Sequence, residues 1–350
     1  MRPLGCIILL GMAMLTGCRG GDPASDARSS EMAMGGWRTV ERKAAVADQL
    51  NFLVFGDWGG NTPAQKRVAD AMAAYVQRKP YRFDGVLLTG DNFYTKLSGV
   101  DDPKWNIYFE NMYDPRRLAF PFYATLGNHD YEHGKELIEP AYAAQRPTRF
   151  TMPARWYRLD LPAERPLATL LMLDSNLTKL SPDQVQEQTR WLERELASAR
   201  NAPWLIVVAH HPLYSNGSHG DGKEVQKQWG ALLQRHEVDF YLCGHDHDLQ
   251  HLQIEGLYTS FVISGGGGKS IRPMERDDRG PFSTSSYGFA HLQVTPEKAA
   301  VRFISDTGRT LHVFERTADG TVKVLSTVGV EPATRPASRP ATQPLIAAGS

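Results

Sequence analysis

The stretch Gly90–Tyr94, GDNFY, directly follows the short apolar run Val86–Leu88, and the interpretation of the whole chain starts here. A short apolar run bounded by polar residues is typical of a strand that is buried on both faces. Asp91 is therefore expected in the loop at the carboxyl end of such a strand. Tyr94 has two interpretations from this stretch alone: its ring packs in the core, or its phenol oxygen takes part in chemistry beside Asp91.

The same arrangement, an apolar run followed by a loop rich in polar side chains, occurs four more times. The runs are Phe52–Phe55 before GDWG, Phe122–Leu126 before GNHD, Leu205–Val208 before AHHP and Phe240–Leu242 before GHDH. Because sites in open α/β sheets gather at the carboxyl ends of the strands, we expect these loops to converge. Their polar side chains are those of Asp57, Asp91, Tyr94, Asn128, His129, His210, His245 and His247. In four of the loops a glycine directly precedes the first of these polar residues, and we expect it to allow a tight turn that points the next side chain inward. These glycines are Gly56, Gly90, Gly127 and Gly244.

The rest of the core predicts an α/β fold. Each strand and loop is expected to continue into a helix, and the capping patterns Thr62–Gln65 and Ser181–Gln184 and the segment Glu224–His236 mark three of these helices. Beyond residue 255 the pattern predicts successive antiparallel strands at Tyr258–Ser264, Phe289–Thr295, Val301–Ile304 and Leu311–Arg316. Two packed sheets with helices outside, in one catalytic domain over residues 49–328, is the expected architecture.

Composition narrows the class of protein. The 350 residues include 39 Lys and Arg against 39 Asp and Glu, and there is no basic stripe of the kind that binds nucleic acid. Of the three cysteines, Cys6 and Cys18 lie near the amino terminus, which leaves Cys243 alone in the domain. We therefore expect no internal disulfide and a buried, unreactive Cys243.

The two ends of the chain carry signals of their own. Residues 1–17 have the basic start and short apolar run of a signal peptide, and Leu15–Cys18, LTGC, resembles the bacterial lipobox, in which the cysteine is lipidated after cleavage. An ordinary secretory signal with a chance cysteine is the alternative. Residues 18–48 are expected to form a flexible tether, and residues 329–350, with proline at every fourth position, a disordered Pro/Ala-rich tail. The predicted localisation is export, with a lipid anchor in a bacterial membrane.

The donor set of the five loops points to metal binding. Carboxylates, imidazoles and an amide oxygen suit borderline and hard metals such as Fe, Mn and Zn. Each motif alone is a weak signal, but GDxG, GDxxY, GNHD, VxxH and GHxH occur in that order, each after an apolar run. This order favours a two-metal site over unrelated helix caps and surface loops.

The ordered set resembles the metallophosphoesterase superfamily, and the tyrosine of GDxxY resembles the purple acid phosphatases within it. The segments GDWGG, GDNFY, GNHD, RWYRLDL, YLCGHDHDLQHLQ and SGGGG are similar to those of the small, tartrate-resistant acid phosphatases, over roughly residues 50–316. The resemblance implies a four-layer αββα sandwich of two mixed β-sheets flanked by helices.

The resemblance also implies roles for the loop residues. It implies a dinuclear centre with Fe(III) and a divalent metal, Fe, Zn or Mn. Asp57, Tyr94 and His247 would hold the ferric ion, with Tyr94 as phenolate; Asn128, His210 and His245 would hold the divalent one, and Asp91 would bridge the two. His129 and His219 match the family's two substrate-facing histidines. The implied activity is that of an acid phosphatase, which hydrolyses phosphate monoesters by attack of a metal-bound hydroxide at acid pH, with His129 as the first candidate general acid and His219 as the second.

Other residues and alternatives complete the hypothesis. His211 is expected to be structural, His133, His236, His251, His291 and His312 to be ordinary, and Asp130 and Asp246 are candidates for orienting histidines. The covering insert that follows the strand Leu170–Asp174 in the animal-type enzymes is missing, which predicts an open site without regulation by loop cleavage. The glycine run Gly265–Gly268 lacks the spacing of a P-loop and is expected to turn close to the metals.

Two alternatives stay open. One is a dinuclear Mn/Zn phosphodiesterase or nucleotidase of the same superfamily, and the other is a non-catalytic surface lipoprotein with the same fold. The expected partners are small phosphate esters, with no nucleic acid and with membrane contact only through a lipid on Cys18. The protein is expected to be a monomer.

Overall fold

A computed structural model describes residues 49–199 and 202–328 of the chain. The predicted signal peptide 1–17, the tether 18–48 and the tail 329–350 lie outside these residues, so those predictions stay predictions. Within the described ranges, none of the helices has the length and apolar character that crossing a bilayer requires.

The first sheet has eight strands in the order β15-β14-β13-β12-β1-β2-β3-β4. Its strands are β1 (Leu50–Phe55), β2 (Gly85–Leu88), β3 (Phe122–Ala124), β4 (Phe150–Thr151), β12 (Gly288–Val294), β13 (Lys298–Ser305), β14 (Thr310–Thr317) and β15 (Val322–Thr327). Strands β1 to β4 run parallel to one another, whereas β12 to β15 form an antiparallel meander, and β12 joins the sheet by pairing antiparallel with β1. The carboxyl ends of β1, β2 and β3 therefore share one edge.

The second sheet has seven strands in the order β11-β9-β10-β8-β7-β6-β5. Its strands are β5 (Tyr157–Leu161), β6 (Ala168–Met172), β7 (Trp204–Val208), β8 (Phe240–Cys243), β9 (Leu249–Leu252), β10 (Ser260–Ser264) and β11 (Phe282–Thr284). Strands β6, β7, β8 and β10 are parallel, and the remaining three pair antiparallel. Both sheets are mixed, as the family resemblance implied.

Four α-helices of the described part of the chain accompany the sheets, and the first and the third begin at the capping signals seen in the sequence. They are α1 (Pro63–Gln77), α2 (Lys135–Gln145), α3 (Pro182–Ser198) and α4 (Lys223–Arg235), with a π-helical turn at Trp105–Glu110 and a kinked 3₁₀ segment at His129–Gly134. At α3 the capping box is complete, because Ser181 accepts from the Gln184 N–H and the Gln184 side chain accepts from the Ser181 N–H. At α1, Thr62 caps as expected, but the Gln65 side chain reaches the N–H of Asn61 instead of the cap residue.

The core is divided by the second sheet. Along β7, Ile206 and Val208 belong to the large cluster between the sheets, whereas Leu205 and Val207 belong to the cluster beneath α3 and α4. This alternation explains why the strand is apolar at every position. Cys243 lies in the outer cluster, is buried and is free, as expected.

Two expectations from the sequence were wrong. The strand near Tyr258–Ser264, observed as β10, is not part of the antiparallel meander; it lies in the second sheet, parallel to β8, because all its residues are buried and fit a central strand. The repeat of strand, loop and helix also fails after β8, where Leu249–Leu252 forms β9, and after β2, where only the π-helical turn follows.

Candidate metal centre

The polar loops that follow the central strands of both sheets meet at one edge of the sandwich. The first sheet contributes Asp57 after β1, Asp91 and Tyr94 after β2, and Asn128 after β3. The second contributes His210 after β7 and His245 and His247 after β8. The carboxyl ends of the parallel strands bring these loops together, as expected for this class of sheet.

Three of the side chains meet on one half of the site. The Tyr94 oxygen lies 3.2 Å from Nε2 of His247 and 3.4 Å from Oδ1 of Asp57. The distance between His247 Nε2 and Asp57 Oδ1 is 3.5 Å. A phenol, a carboxylate and an imidazole thus direct their donor atoms at one point, where they could hold one cation.

A second group of side chains meets around His210. Its Nε2 atom lies 3.0 Å from Oδ1 of Asn128 and 3.1 Å from Nδ1 of His245. The other ring nitrogen of His210 is 2.8 Å from the carbonyl oxygen of Thr89, which orients the ring. An amide oxygen and two imidazoles thus surround a second point.

Asp91 lies between the two groups. Its Oδ1 atom is 3.5 Å from His210 Nε2, and the ligand atoms of Asp57, Asp91 and His210 all lie within 4.8 Å of one another. The backbone N–H of His129 donates to the same Asp91 oxygen at 2.9 Å. The position of Asp91 is that of a carboxylate able to contact two adjacent cations.

The electrostatics of the cluster favour a cation. Burial and the charge of Asp91 raise the pKa of Asp57 well above its usual value, and burial and the charge of Asp130 raise the pKa of Asp91 to about 8. Burial, together with the two carboxylates, also raises the pKa of Tyr94. Buried acids without a compensating positive charge take up protons. Because a multivalent cation reverses this preference, the donor set fits a metal centre.

The neighbouring imidazoles are held neutral, which is the form that binds metals. Burial lowers the pKa of His210 and of His245, and it lowers that of His247 to about 4. A neutral imidazole keeps a lone pair available for a cation.

The backbone at three of these residues is in the left-handed region. Its φ angles are 60° at Asp57, 51° at Asp91 and 70° at His245. Residues other than glycine adopt this conformation at a cost, and such positions cluster at functional sites. Of the four preceding glycines, for which the sequence predicted tight turns, Gly90 also has a positive φ, of 90°, whereas Gly56, Gly127 and Gly244 do not. Gly244 serves close approach instead, because a Cβ atom there would lie 2.4 Å from Oδ2 of Asp57.

A buried polar network supports the loop that carries Asp91 and Tyr94. Asp130 accepts from the backbone N–H groups of Asn92, Phe93 and Gly127, and the Lys135 ammonium donates to the Phe93 carbonyl at 2.6 Å. Asp130 therefore fixes backbone and does not orient a histidine.

The sequence interpretation missed three further members of this network. They are Asn92, Lys135 and Glu139, of which Asn92 donates to Glu139 Oε2 at 2.9 Å. Two charged residues four apart on a buried face of α2 are the signal that could have revealed Lys135 and Glu139.

The two histidines expected to face the substrate flank the cluster. The His129 ring lies 4.6 Å from the Tyr94 ring, and its Nδ1 is 3.0 Å from Oε1 of Glu132. The His219 ring stacks on His245 at 4.0 Å, and its Nδ1 is 3.0 Å from Oδ1 of Asp246. Asp246 thus contacts a histidine, as the sequence suggested.

His211 lies beside the second group of ligands. One nitrogen of each of His210, His211 and His245 lies within 4.8 Å of the others. Nδ1 of His211 is 2.9 Å from the hydroxyl of Ser175, which also accepts from the His211 backbone N–H at 2.8 Å. These contacts fit the structural role predicted for His211.

Other histidines lie in the core, away from the cluster. His251 and His312 contact each other at 3.0 Å, and His291 is bound by Tyr75 and Asn51.

Comparison with known proteins gives concordant matches. Residues 50–249 match the family described as calcineurin-like phosphoesterase. The chain is 32% identical to tartrate-resistant acid phosphatase type 5 of Sus scrofa, over 79% of this chain and 89% of that protein. It is 30% identical to purple acid phosphatase 4 of Arabidopsis thaliana, over 79% of this chain and 86% of that protein.

Solved structures share the fold at lower sequence identity. The GAP50 anchor of the inner membrane complex of Plasmodium superposes with a TM-score of 0.66 at 23% identity, over 76% of this chain and 87% of that one. The purple acid phosphatase PPD1 from yellow lupin gives a TM-score of 0.60 at 20% identity, over 83% of this chain and 57% of that one.

Proposed function

The chain belongs to the calcineurin-like phosphoesterase family and, within it, to the purple acid phosphatases, and from this premise we propose that it hydrolyses phosphate monoesters at acid pH by attack of a hydroxide on phosphorus. It is a metallophosphoesterase with the residues of a dinuclear centre. The reaction class is phosphoric monoester hydrolysis, which is the class that the names of its relatives describe.

One observation carries the proposal: a phenol joins the carboxylates and imidazoles at the end of the parallel strands. Tyr94 is half-buried, and its oxygen lies within 3.4 Å of both Asp57 and His247. A phenolate is a hard, anionic ligand, and its presence favours a trivalent over a divalent ion at that point.

The residues divide into two groups of ligands. Asp57, Tyr94 and His247 would hold Fe(III), Asn128, His210 and His245 would hold a divalent Fe, Zn or Mn, and Asp91 would contact both. When bound, such a pair polarises phosphoryl oxygens and makes hydroxide available from water near neutral or acid pH.

The chain's own part in the reaction is to orient the ester and to manage protons. His129 and His219 flank the cluster on opposite halves, with half-exposed rings that a substrate entering from solvent can reach. The departing alkoxide needs a proton, which we assign to His129 first and to His219 second.

Protein loaded with iron tests the function directly. Metal analysis should give two ions per chain, and the rate on p-nitrophenyl phosphate should exceed the rate on bis(p-nitrophenyl) phosphate and be highest at acid pH. A preference for the bis-ester would make the protein a phosphodiesterase instead.

The tyrosine needs its own test. The iron-loaded protein should absorb visible light through phenolate-to-iron charge transfer, and Tyr94→Phe should abolish this band. Tyr108→Phe, which alters a half-buried tyrosine away from the cluster, is the matched control. A colourless wild type and a fully active Tyr94→Phe variant would remove Fe(III) from the proposal.

We further propose that the protein acts as an exported monomer on small phosphate esters, anchored to a bacterial membrane through a lipid on Cys18. The support is the LTGC sequence that ends an apolar leader. Cys18→Ala should move the protein from the membrane fraction to the soluble fraction, and membrane retention of that variant would contradict the lipid anchor.

A further inference from the structure

The loop between β10 and β11 presses against the candidate metal centre. A Cβ atom on Gly265 would lie 2.0 Å from the Asp246 carbonyl oxygen, and one on Gly267 would lie 2.1 Å from the Gly56 carbonyl oxygen. The backbone then continues along the predicted ligands, since the Lys269 N–H donates to the Asp57 carbonyl at 2.9 Å. Only glycine permits this close approach, so the glycines of the loop allow its backbone to pack directly against the site.

Two cations of this loop face the site. The Lys269 ammonium lies 4.3 Å from the centre of the Tyr94 ring. Nη1 of Arg272 lies 2.7 Å from Nδ1 and 2.5 Å from Nε2 of His219. Because Nδ1 of His219 is also 3.0 Å from Asp246, the consistent arrangement has Nδ1–H donating to Asp246 and Arg272 donating to Nε2.

The loop's cations differ in their ion pairs. Arg276 pairs with Asp278 at 2.6 Å, and Arg279 pairs with Asp221 at 2.7 Å. Over residues 49–199 and 202–328, neither Lys269 nor Arg272 has a carboxylate oxygen within 4.0 Å of its charged nitrogens. The two cations that face the site are thus the two of this loop that form no close ion pair with a described residue, and Arg272 interacts with the charge of Asp248 only at longer range.

The placement of Arg272 suggests what its charge is for. Arg272 contacts His219, whose ring stacks on His245, so one histidine joins the guanidinium to the second group of predicted ligands. Arginine binds carboxylates and phosphates in a two-pronged geometry, and the Arg272 guanidinium, which forms no close ion pair with a described residue, is placed to donate to such a group.

Resting on the proposed function, we infer that the preferred substrates are phosphate monoesters whose leaving group carries a second anionic group, a carboxylate or a further phosphate, which Arg272 binds and Lys269 attracts. Arg272 is then a specificity-determining residue at the rim of the site. Its contact with His219 is replaced by the contact with the substrate anion, which frees Nε2 of that ring.

Substrates that differ only in charge test this inference. 3-Carboxyphenyl phosphate and 3-carbamoylphenyl phosphate are similar in shape, but only the first carries the second anion at pH 5.5 and above. Wild type should favour the carboxylate by about 10- to 100-fold in kcat/KM, the effect of a charge-assisted hydrogen bond. The corresponding 4-carboxyphenyl and 4-carbamoylphenyl phosphates test a second distance between the phosphate and the substituent.

Variants assign the preference to a residue. Arg272→Gln should bring the ratio of the two kcat/KM values close to one, Arg272→Lys should retain part of it, and Lys269→Gln should lower it less. Arg276→Gln is the matched control, because this arginine lies on the same loop but pairs with Asp278, and it should leave the ratio unchanged.

A binding measurement supplies a readout that does not depend on turnover. Calorimetry with the two corresponding phenylphosphonates, which are not hydrolysed, should give the same order of affinities in wild type and the same loss in Arg272→Gln. Equal values for the two members of each pair in wild type, or an unchanged ratio in Arg272→Gln, would overturn the inference. Hydrolysis of neither ester by wild type would contradict the proposed function instead, so the two failures are distinguishable.

Discussion

His129 and His219 flank the metal centre from opposite halves, and their immediate contacts are alike. Each side chain is 34% exposed, and each Nδ1 lies 3.0 Å from a carboxylate oxygen. The carboxylates differ, because Glu132, the partner of His129, is 48% exposed, whereas Asp246, the partner of His219, is fully buried. The same distance therefore describes two different kinds of anchor.

The surroundings of Asp246 explain what its burial achieves. It accepts hydrogen bonds from the Ser215 hydroxyl and from the His219 backbone N–H. Burial on its own raises the pKa of Asp246, but the hydrogen bonds from His219 and Ser215 more than offset this and hold the pKa below its usual value. His219 is thus attached to an acid that stays ionised at acid pH, whereas His129 is attached to a side chain that solvent can replace. We therefore expect His219 to keep a fixed orientation and position the substrate, and His129 to move and donate the proton.

The largest expected effect is that of His129→Ala. If His129 delivers the proton to the leaving group, kcat should fall by about 10²- to 10⁴-fold. Metal content should stay near that of wild type, because the contact of His129 with Asp91 is made by its backbone N–H. Steady-state kinetics and metal analysis on the same preparation measure both.

His133→Asn is the control for that variant. His133 is exposed, lies in the same 3₁₀ segment and has a φ of 61°, a conformation that asparagine tolerates. It should change neither kcat nor metal content. Loss of metal in His129→Ala would make His129 a ligand and end the comparison with His219.

Asp246→Asn should produce the next largest effect. Removing the charge weakens a hydrogen bond to an ionised group, which contributes about 1.5–3 kcal/mol, or roughly 10- to 100-fold in a rate that depends on it. The loss should appear in kcat/KM at equal metal content, since His219 loses its anionic partner. A change in thermal stability with an unaltered kcat/KM would indicate that Asp246 is only structural.

The sequence predicted which loops come together better than it predicted the contacts that support them. Asp57, Asp91 and His210 converge because each follows a buried strand, and a strand's carboxyl end is fixed by topology that the apolar runs reveal. The role of Asp246 was open, because its contact with His219 joins residues 27 apart on different loops. Local patterns predict that the loops converge, but they carry no information about which side chain of one loop contacts which side chain of another.

The wrong expectations about the fold also concern features that are set by contacts between distant segments. β10 was assigned to the meander because it precedes the meander in sequence, yet its pairing with β8 depends on a register that only the packed sheet determines. The left-handed backbone of Asp57 and His245 was missed because glycine is the usual residue there, and the surrounding contacts hold other residues in that conformation.

His129 and His219 can be compared at acid pH only if the protein stays folded there. The buried histidines His251 and His312 lower the stability of the fold as the pH falls. Burial lowers the pKa of His251 well below its usual value and that of His312 to about 3. Both are neutral when folded but take up protons when unfolded below about pH 6.5. Their contribution to stability is complete above that pH and is lost progressively as the pH falls towards the folded pKa values.

His251→Gln should therefore flatten the pH dependence of stability. Between pH 7 and 5, one such histidine lowers the free energy of unfolding by about 2 kcal/mol, and the variant should lose that part. Urea unfolding at the two pH values measures it, with His133→Asn as the exposed control. If the free energy of unfolding depends on pH equally in the variant and in wild type, His251 is already protonated in the folded protein. A loss of activity at low pH would then arise from titration within the site and not from unfolding.

The smallest expected effect is that of Glu132→Gln, and it decides whether the difference between the two anchors matters. An exposed ion pair contributes about 0–1 kcal/mol, so kcat should change by less than about fivefold, far less than for Asp246→Asn. High salt should reduce the effect further, because it screens exposed charges and leaves the buried contact of His219 almost untouched. Kinetics of Glu132→Gln and Asp246→Asn at low and high salt give the comparison in one experiment. Equal losses in the two variants would show that solvent exposure of the carboxylate is irrelevant, and that His129 is held as firmly as His219.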